Sequence, residues 1–374
     1  MRKIYLDNNA TTGVDPRVVE AMLEDLCAIP ANPSSVHSFG KEAKKKLMRA
    51  RVSISGFFHV RPEEILFTSG GTEAMAMLLR GFCAKHPRCH ILSSNVEHSS
   101  TTALLRDLES QGAKLTLLPA GLWGAIQPEQ LEAALKEKID LIVLMSASNI
   151  TGVKTDLEAV AKVAEKHKIP LILDGVSHLG KELFSIPKGV SAMTFSGHKF
   201  HAPKGIGMAI VRHNLKIAPL FVGGGQEGNR RAGTENLAGI LGLAKAIELL
   251  PQELPAATPR MEKLRNRLTD GLMDKIGNIV VHGQGPRICN TVHIGFPGVD
   301  GETLLIELDR NGIAASHGSA CSSGGLEPSA VLLNMAIPMS LARTSIRFSL
   351  SRWTTTEEIE EAIDIISRLV LTQK

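Results

Sequence analysis

The stretch Thr194-Phe-Ser-Gly-His198-Lys199-Phe-His-Ala-Pro203-Lys204-Gly205 decides how the rest of the chain reads. Residues 191–195 have strand character and give way to Ser-Gly-His-Lys and then Pro-Lys-Gly, so Lys199 falls on a turn at the end of a buried strand. Most lysines in that position are solvated turn residues. What sets this one apart lies upstream, where Pro170-Leu-Ile-Leu-Asp174 is an apolar strand ending in a single carboxylate. Open parallel sheets present chemistry from such positions, at the carboxyl ends of their strands.

An amine able to form a Schiff base and an acid able to hold a pyridinium nitrogen are the two fixed requirements of pyridoxal phosphate catalysis. Lys199 and Asp174 are therefore candidates for those roles. The surrounding chain alternates strands and helices for about 200 residues, the pattern of a mainly parallel sheet covered on both faces. Apolar strands are expected at 89–94, 141–147 and 207–212, and helices at 40–55 and 156–167. The charges of the helix at 40–55 read as a solvated face.

Between the strand of 64–68 and the helix that follows lies Ser69-Gly-Gly71-Thr72-Glu73. Free N–H groups at such a helix start make an anion site, and glycine lets a phosphate approach the backbone. The N-terminal Leu6-Asp-Asn8-Asn-Ala-Thr-Thr12 is a polar turn before a helix opening at Asp15-Pro16; its side chains could bind a ligand or merely cap backbone. His98 reads as a polar helix-start residue, with a ring lying over a planar ligand as the alternative. Gly223-Gly-Gly-Gln-Glu-Gly228 matches G-x-G-x-x-G, but no helix follows in register, so it reads as a loop offering backbone and arginines to a neighbouring surface.

Composition bounds the answer further. With 374 residues, 43% of them hydrophobic and 21% charged, the chain is expected to form two lobes of a soluble enzyme. A formal charge of +4 without basic blocks points away from nucleic acid. No signal peptide and no run of about 20 apolar residues is evident. Five irregularly spaced cysteines argue against a disulfide framework and a zinc ribbon, so a cytoplasmic location is expected. Proline and alanine thicken at 250–259, the expected lobe boundary, followed by a helix at 261–276 and a final helix with a capping box from Thr354 to Glu357. In the second lobe Cys321 sits in Gly318-Ser-Ala-Cys-Ser-Ser-Gly-Gly325, where small neighbours would leave the thiol exposed and mobile. The other four cysteines read as inert buried residues. Arg347, on an alternating strand, either pairs with an acidic neighbour or clamps a carboxylate.

Taken together, these motifs resemble the cysteine desulfurases of the iron-sulfur-cluster and nitrogen-fixation type, within the class V aminotransferases of pyridoxal phosphate fold type I. The likeness runs from Tyr5-Leu-Asp-Asn-Asn-Ala-Thr-Thr to Arg347-Phe-Ser-Leu-Ser-Arg-Trp-Thr-Thr, nearly the whole chain. It implies a large α/β domain at 16–257 with a seven-stranded type of sheet, and a small α+β domain at 258–374 joined by residues 1–15. Lys199 would form the Schiff base with pyridoxal 5′-phosphate and Asp174 would hold its ring nitrogen. His98 would stack on the ring and shuttle protons, and Asn149 would contact the ring hydroxyl. Gly71, Thr72, Ser196 and His198 would hold the phosphate, with Thr234 reaching it from the second subunit of a homodimer. Arg347, with Asn8 nearby, would bind L-cysteine, and Cys321 would take its sulfur as a persulfide and pass it to an acceptor or iron-sulfur scaffold protein while alanine leaves. Selenocysteine lyase chemistry on the same site and a cofactor-binding scaffold are the competing readings; a nicotinamide-dependent dehydrogenase ranks below both.

Two departures from the family pattern stand out. Asp174-Gly-Val-Ser177 replaces Asp-Ala-x-Gln, and Ser148-Asn149-Ile150 replaces Asn-Asn-Glu. Without the glutamine amide at the ring oxygen its anionic form loses a donor, so the bound cofactor is expected to titrate at a higher pH than in relatives carrying glutamine. Ser177→Gln should bring that titration down in a spectral pH series.

Overall fold

The computed structural model describes residues 2–318 and 328–373; Cys321 lies outside the described residues. A short N-terminal strand, β1 (Ile4–Tyr5), precedes the main sheet. The sheet strands are β2 (Ile65–Thr68), β3 (His90–Ser94), β4 (Lys114–Leu118), β5 (Leu141–Met145), β6 (Leu171–Asp174), β7 (Ala192–Ser196) and β8 (Gly207–Val211). Their order is β2-β8-β7-β6-β5-β3-β4, with β3 to β7 parallel and only β8 running against its two neighbours. β3, β5, β7 and β8 are buried along their whole length. That is why β5 and β8 read as continuous apolar runs: helices cover both faces of the sheet, and two separate apolar clusters lie on its two sides.

The remaining strands are β9 (Val280–Val281), β10 (Thr291–Gly295), β11 (Ile313–Ala314) and β12 (Ser345–Ser349). They form an antiparallel sheet β12-β10-β9 and a parallel pair β1-β11. A third apolar cluster fills this region and takes in Ile4 and Leu6 from the N-terminus. β12 is buried on both faces rather than alternating. Ile346 and Phe348 enter the apolar cluster, while Ser345, Arg347 and Ser349 face a polar layer built with the N-terminal turn.

The proline-rich stretch at 250–259 is helical, contrary to the sequence reading. One 40-residue helix, Leu237–Ile276, runs through it with Pro251, Pro255 and Pro259 inside. Prolines four apart share a helix face, and all three are exposed while Leu250, Leu254, Ala257 and Met261 are buried. The missing N–H groups thus fall on the solvent side, where a curving helix already lengthens its hydrogen bonds. The first half of this helix, up to Leu254, belongs to the core beside the main sheet, and the part from Leu264 belongs to the second core.

Other local readings are corrected too. The last helix, Thr356–Gln373, is capped one residue later than the sequence suggested: Thr355 N–H donates to Glu358 and Glu358 N–H to Thr355 Oγ1. Helix Ser38–Phe58 does not keep all its charges in solvent. Arg51 is buried and forks onto Glu227 at 2.6 and 3.0 Å. Glu227 lies in the Gly223 loop, and Arg231 of that loop turns back onto Glu73 at 2.7 Å. Of the cysteines, Cys27 is exposed, and Cys83 and Cys89 touch each other.

Candidate active site

Five strand ends converge on one place. Thr68, Ser94, Met145, Asp174 and Ser196 close β2, β3, β5, β6 and β7, and these parallel strands point their carboxyl ends the same way. A cavity of about 350 Å³ opens above them, lined by Asn9, Glu97, His98, Asn149, Lys199 and Arg347 among others. This is the position at which parallel α/β sheets carry ligands.

Lys199 is the last residue of a single turn, Gly197–Lys199, that follows β7 directly. Its Nζ donates to the carbonyls of Asn9 (2.6 Å) and Ala10 (2.9 Å), which draw the amine toward the N-terminal turn. Lys181, fully buried and lowered by desolvation to about 8, donates from Nζ to the Lys199 carbonyl at 2.7 Å and pins the turn. Asp174 ends β6, where Oδ1 accepts the Val176 N–H at 2.9 Å. Burial raises its carboxyl, with the Val176 N–H, His98 and Lys199 acting the other way. A cation placed against it would favour the carboxylate form.

His98 combines both sequence readings. It caps helix Ser99–Ser110, Nδ1 accepting the Ser100 N–H at 3.2 Å, and it also lines the cavity. With Nδ1 accepting, a neutral ring carries its proton on Nε2. Desolvation lowers the ring's pKa, and Lys199 and Arg347 add to this against the pull of Asp174. His98 is therefore a neutral ring near pH 7, able to donate from Nε2.

Asn149 follows β5. Its carbonyl accepts from Asn9 Nδ2 (3.1 Å) and Arg347 Nη1 (2.9 Å), while its side-chain Oδ1 is buried with no partner. Arg347 is 2% exposed and is fully employed at one end: Nη1 also reaches the Gly318 carbonyl at 3.0 Å, and Nη2 the Asp7 carboxylate at 2.7 Å. Asp7 is thus the acidic neighbour left open by the sequence, and the guanidinium borders the cavity as well. Removing Asp7 strands a buried cation, so Asp7→Ala should cost about 3 kcal/mol of unfolding free energy in a urea melt. The double variant with Arg347→Met should recover part of that loss.

The helix Gly71–Lys85 begins beside the same strand ends. A Cβ on Gly71 would meet Val176 Cγ2 at 2.7 Å, and one on Gly70 would come within 3.6 Å of Ser196 Oγ, so the helix start and Ser196 form a close cradle. Thr72 at that start is exposed. His198 points Nδ1 at Thr11 Oγ1, 3.1 Å away, and is lowered to about 4 by burial and by Lys199. Thr234 is exposed and does not line this chain's cavity. Ser177 lies half-buried in the turn after β6. Ile150 is buried and would press at 3.1 Å on a Cβ added to Gly318, so apolar contact stands where the family pattern has a carboxylate.

Asn8 does not reach the cavity. Its amide donates to the carbonyls of Tyr5 (3.1 Å) and Ser349 (2.9 Å), and its neighbour Asn9 lines the cavity instead. Glu97 is a cavity residue that sequence reasoning missed. It is buried, Oε1 accepts from Ser94 Oγ at 2.5 Å and Oε2 has no partner; burial raises it to about 8. A neutral acid there spares Asp174 a like charge. Its position directly before His98 was the available signal.

Gly318 and Ser329 both line the cavity. They flank the segment that carries Cys321.

A family model described as aminotransferase class-V matches residues 4–362. A protein of Nostoc sp. named cysteine desulfurase is 40% identical over 99% of this chain and 93% of its own length. One of Dictyoglomus turgidum named cysteine desulfurase IscS is 38% identical over 99% and 95%. Among solved structures, one titled NifS-like protein superimposes with a TM-score of 0.92 at 33% identity, covering 99% of this chain and all of that one. The chain belongs to the class-V aminotransferase family, and its fold is that of the fold-type I pyridoxal phosphate enzymes.

The family's cofactor is pyridoxal 5′-phosphate, and the residues present fit it. The glycine cradle at Gly70 and Gly71 leaves backbone N–H groups open to a phosphate. The orphaned Asn149 Oδ1 awaits a donor, Lys199 supplies an amine on the cavity wall, and the buried Asp174 carboxyl feels the charges of His98 and Lys199. Among the described residues no group of side chains forms a metal site, and no helix is long and apolar enough to cross a membrane.

Proposed function

We propose that the protein is a cysteine desulfurase, converting L-cysteine to L-alanine and leaving the sulfur as a persulfide on Cys321 for iron-sulfur cluster or sulfur-cofactor assembly. The observation that carries this reading is that both anchors of the Cys321 segment, Gly318 and Ser329, border the cavity shared by Lys199, His98 and Arg347. A transferred sulfur must leave the cavity on the group that takes it, and a tethered thiol does both.

When bound, the cofactor supplies an electron sink for charge that develops on the substrate's carbon atoms. Lys199 would hold it through Nζ, and that amine, when free, would hold or return a proton. Asp174 would hold the ring nitrogen in its protonated form, Asn149 would meet the ring hydroxyl, and Gly71, Thr72, Ser196 and His198 would hold the phosphate. His98 donates or accepts a proton at Nε2, on the wall of the cavity. Arg347 would hold the substrate carboxylate through Nε, which has no partner among the described residues. Overall the Cβ–S bond of cysteine breaks, an S–S bond forms to Cys321 Sγ, and a proton on Cβ completes alanine.

The wider reading includes a large unit at 16–257, a small unit at 258–374 joined by residues 1–15, and a cytoplasmic setting that keeps the thiols reduced. A homodimer lets the exposed Thr234 serve a second copy's phosphate, and a sulfur-acceptor protein receives the persulfide.

Alanine and sulfide production from L-cysteine with a reductant, beside Cys321→Ala, tests the proposal. Turnover should fall by about 10²-fold or more in the variant while the cofactor's absorption band is kept. A coloured wild type that turns over selenocysteine but not cysteine would overturn it.

A further inference from the structure

Away from the cavity, two cysteines meet at a fixed corner. Cys83 lies in the last turn of helix Gly71–Lys85, and Cys89 immediately precedes β3. Their sulfur atoms are 3.1 Å apart. The backbone holds them there: His86 N–H donates to the carbonyls of Phe82 (3.0 Å) and Cys83 (3.1 Å), and Cys89 N–H to that of His86 (3.1 Å). The His86 ring stacks on Phe82 at 4.3 Å, and Lys114 N–H bonds the Cys89 carbonyl at 2.9 Å. Cys83 is half-buried and open to a small solute, while Cys89 is 3% exposed. Neither lines the catalytic cavity.

We propose that Cys83 and Cys89 are a redox-active dithiol, a second thiol site that hydrogen peroxide closes to an intramolecular disulfide. A disulfide has its sulfurs about 2.05 Å apart, so closure asks for only about 1 Å of further approach. The two sulfurs lie within hydrogen-bonding distance of each other. Hydrogen bonding from Cys83 lowers the Cys89 thiol, against burial and the Asp140 carboxylate, and the same bond raises Cys83. Cys89 therefore carries the thiolate character.

The step balances with one peroxide. Cys89 thiolate attacks a peroxide oxygen, forming an S–O bond as the O–O bond breaks; the departing hydroxide takes the Cys83 proton and leaves as water. Cys83 thiolate then attacks the Cys89 sulfur, the S–S bond forms and the S–O bond breaks. The second hydroxide takes up the proton that Cys89 had released and becomes water. Two electrons pass from the thiols to the peroxide.

Digestion distinguishes the pair cleanly, because trypsin cuts after Arg80, Lys85, Arg88 and Arg106. Reduced holoenzyme is treated with one equivalent of hydrogen peroxide, quenched with catalase, alkylated in denaturant and digested without reductant. The expected product is peptide 81–85 joined to peptide 89–106, two hydrogens lighter than the separate peptides and released by dithiothreitol. It should form at the same yield in Cys321→Ala holoenzyme and be absent in Cys83→Ser. Recovery of 81–85 and 89–106 as separate alkylated peptides, under conditions that oxidise the exposed Cys27, would overturn the assignment. So would a joined species linking either cysteine to a third one in preference to its neighbour.

Discussion

Lys199→Ala is expected to lose turnover of L-cysteine by at least about 10³-fold, the scale on which catalytic nucleophiles act elsewhere, and to let the cofactor be removed by dialysis. The reason is geometric. Lys199 sits on a three-residue turn pinned from behind by Lys181 and drawn forward by the Asn9 and Ala10 carbonyls, so its Nζ has one place to be. No other amine of the described residues lines the cavity, and a substitute group supplied by the chain is therefore lacking. The checks are steady-state alanine production and the absorption spectrum before and after dialysis. Retained turnover near wild type would remove Lys199 from the chemistry.

Asp174→Asn is expected to lower kcat by about 10³-fold while leaving the fold intact. Burial raises the Asp174 carboxyl, and a cation against it favours the carboxylate. An asparagine of the same shape still accepts the Val176 N–H but offers no charge, so a ring nitrogen beside it has no reason to stay protonated. The sign follows from linkage: with Asp174 the carboxylate raises the pKa of the cation and the cation lowers that of the carboxyl, whereas in the variant the ring nitrogen reverts toward neutral as pH rises. Measuring kcat against pH for both proteins, with cofactor affinity alongside, decides it. A variant with weaker cofactor binding but unchanged kcat at saturation would assign Asp174 to binding alone.

Much of this site was legible in the linear chain because its chemistry sits where strands end. Asp174 and Lys199 announce themselves as a lone acid and a lone amine closing apolar runs, and Gly70-Gly71 marks a helix start whose backbone must be bare. What was not legible depended on side-chain direction. Asn8 and Asn9 are adjacent and chemically identical, yet the Asn8 amide bonds the Tyr5 and Ser349 carbonyls, while the Asn9 amide bonds the Asn149 carbonyl and Thr291 and only Asn9 lines the cavity. Arg347 read equally well as an ion-pair partner or a carboxylate clamp, and it took the packing of β12 against the N-terminal turn to put Asp7 on it.

The same division holds for the fold. Periodicity and composition were enough for six strands of the main sheet but not for the half-exposed β4, which carries no continuous apolar run, and local hydrogen-bonding chemistry was enough for the helix at Asp15-Pro16. The helix Leu237–Ile276 was beyond them, since three prolines spell a break unless one knows that all three face water. Nor could spacing bring Cys83 onto Cys89 or Arg51 onto Glu227. Those pairings arise from the way helices close over the sheet, and tertiary packing alone sets the distance between them.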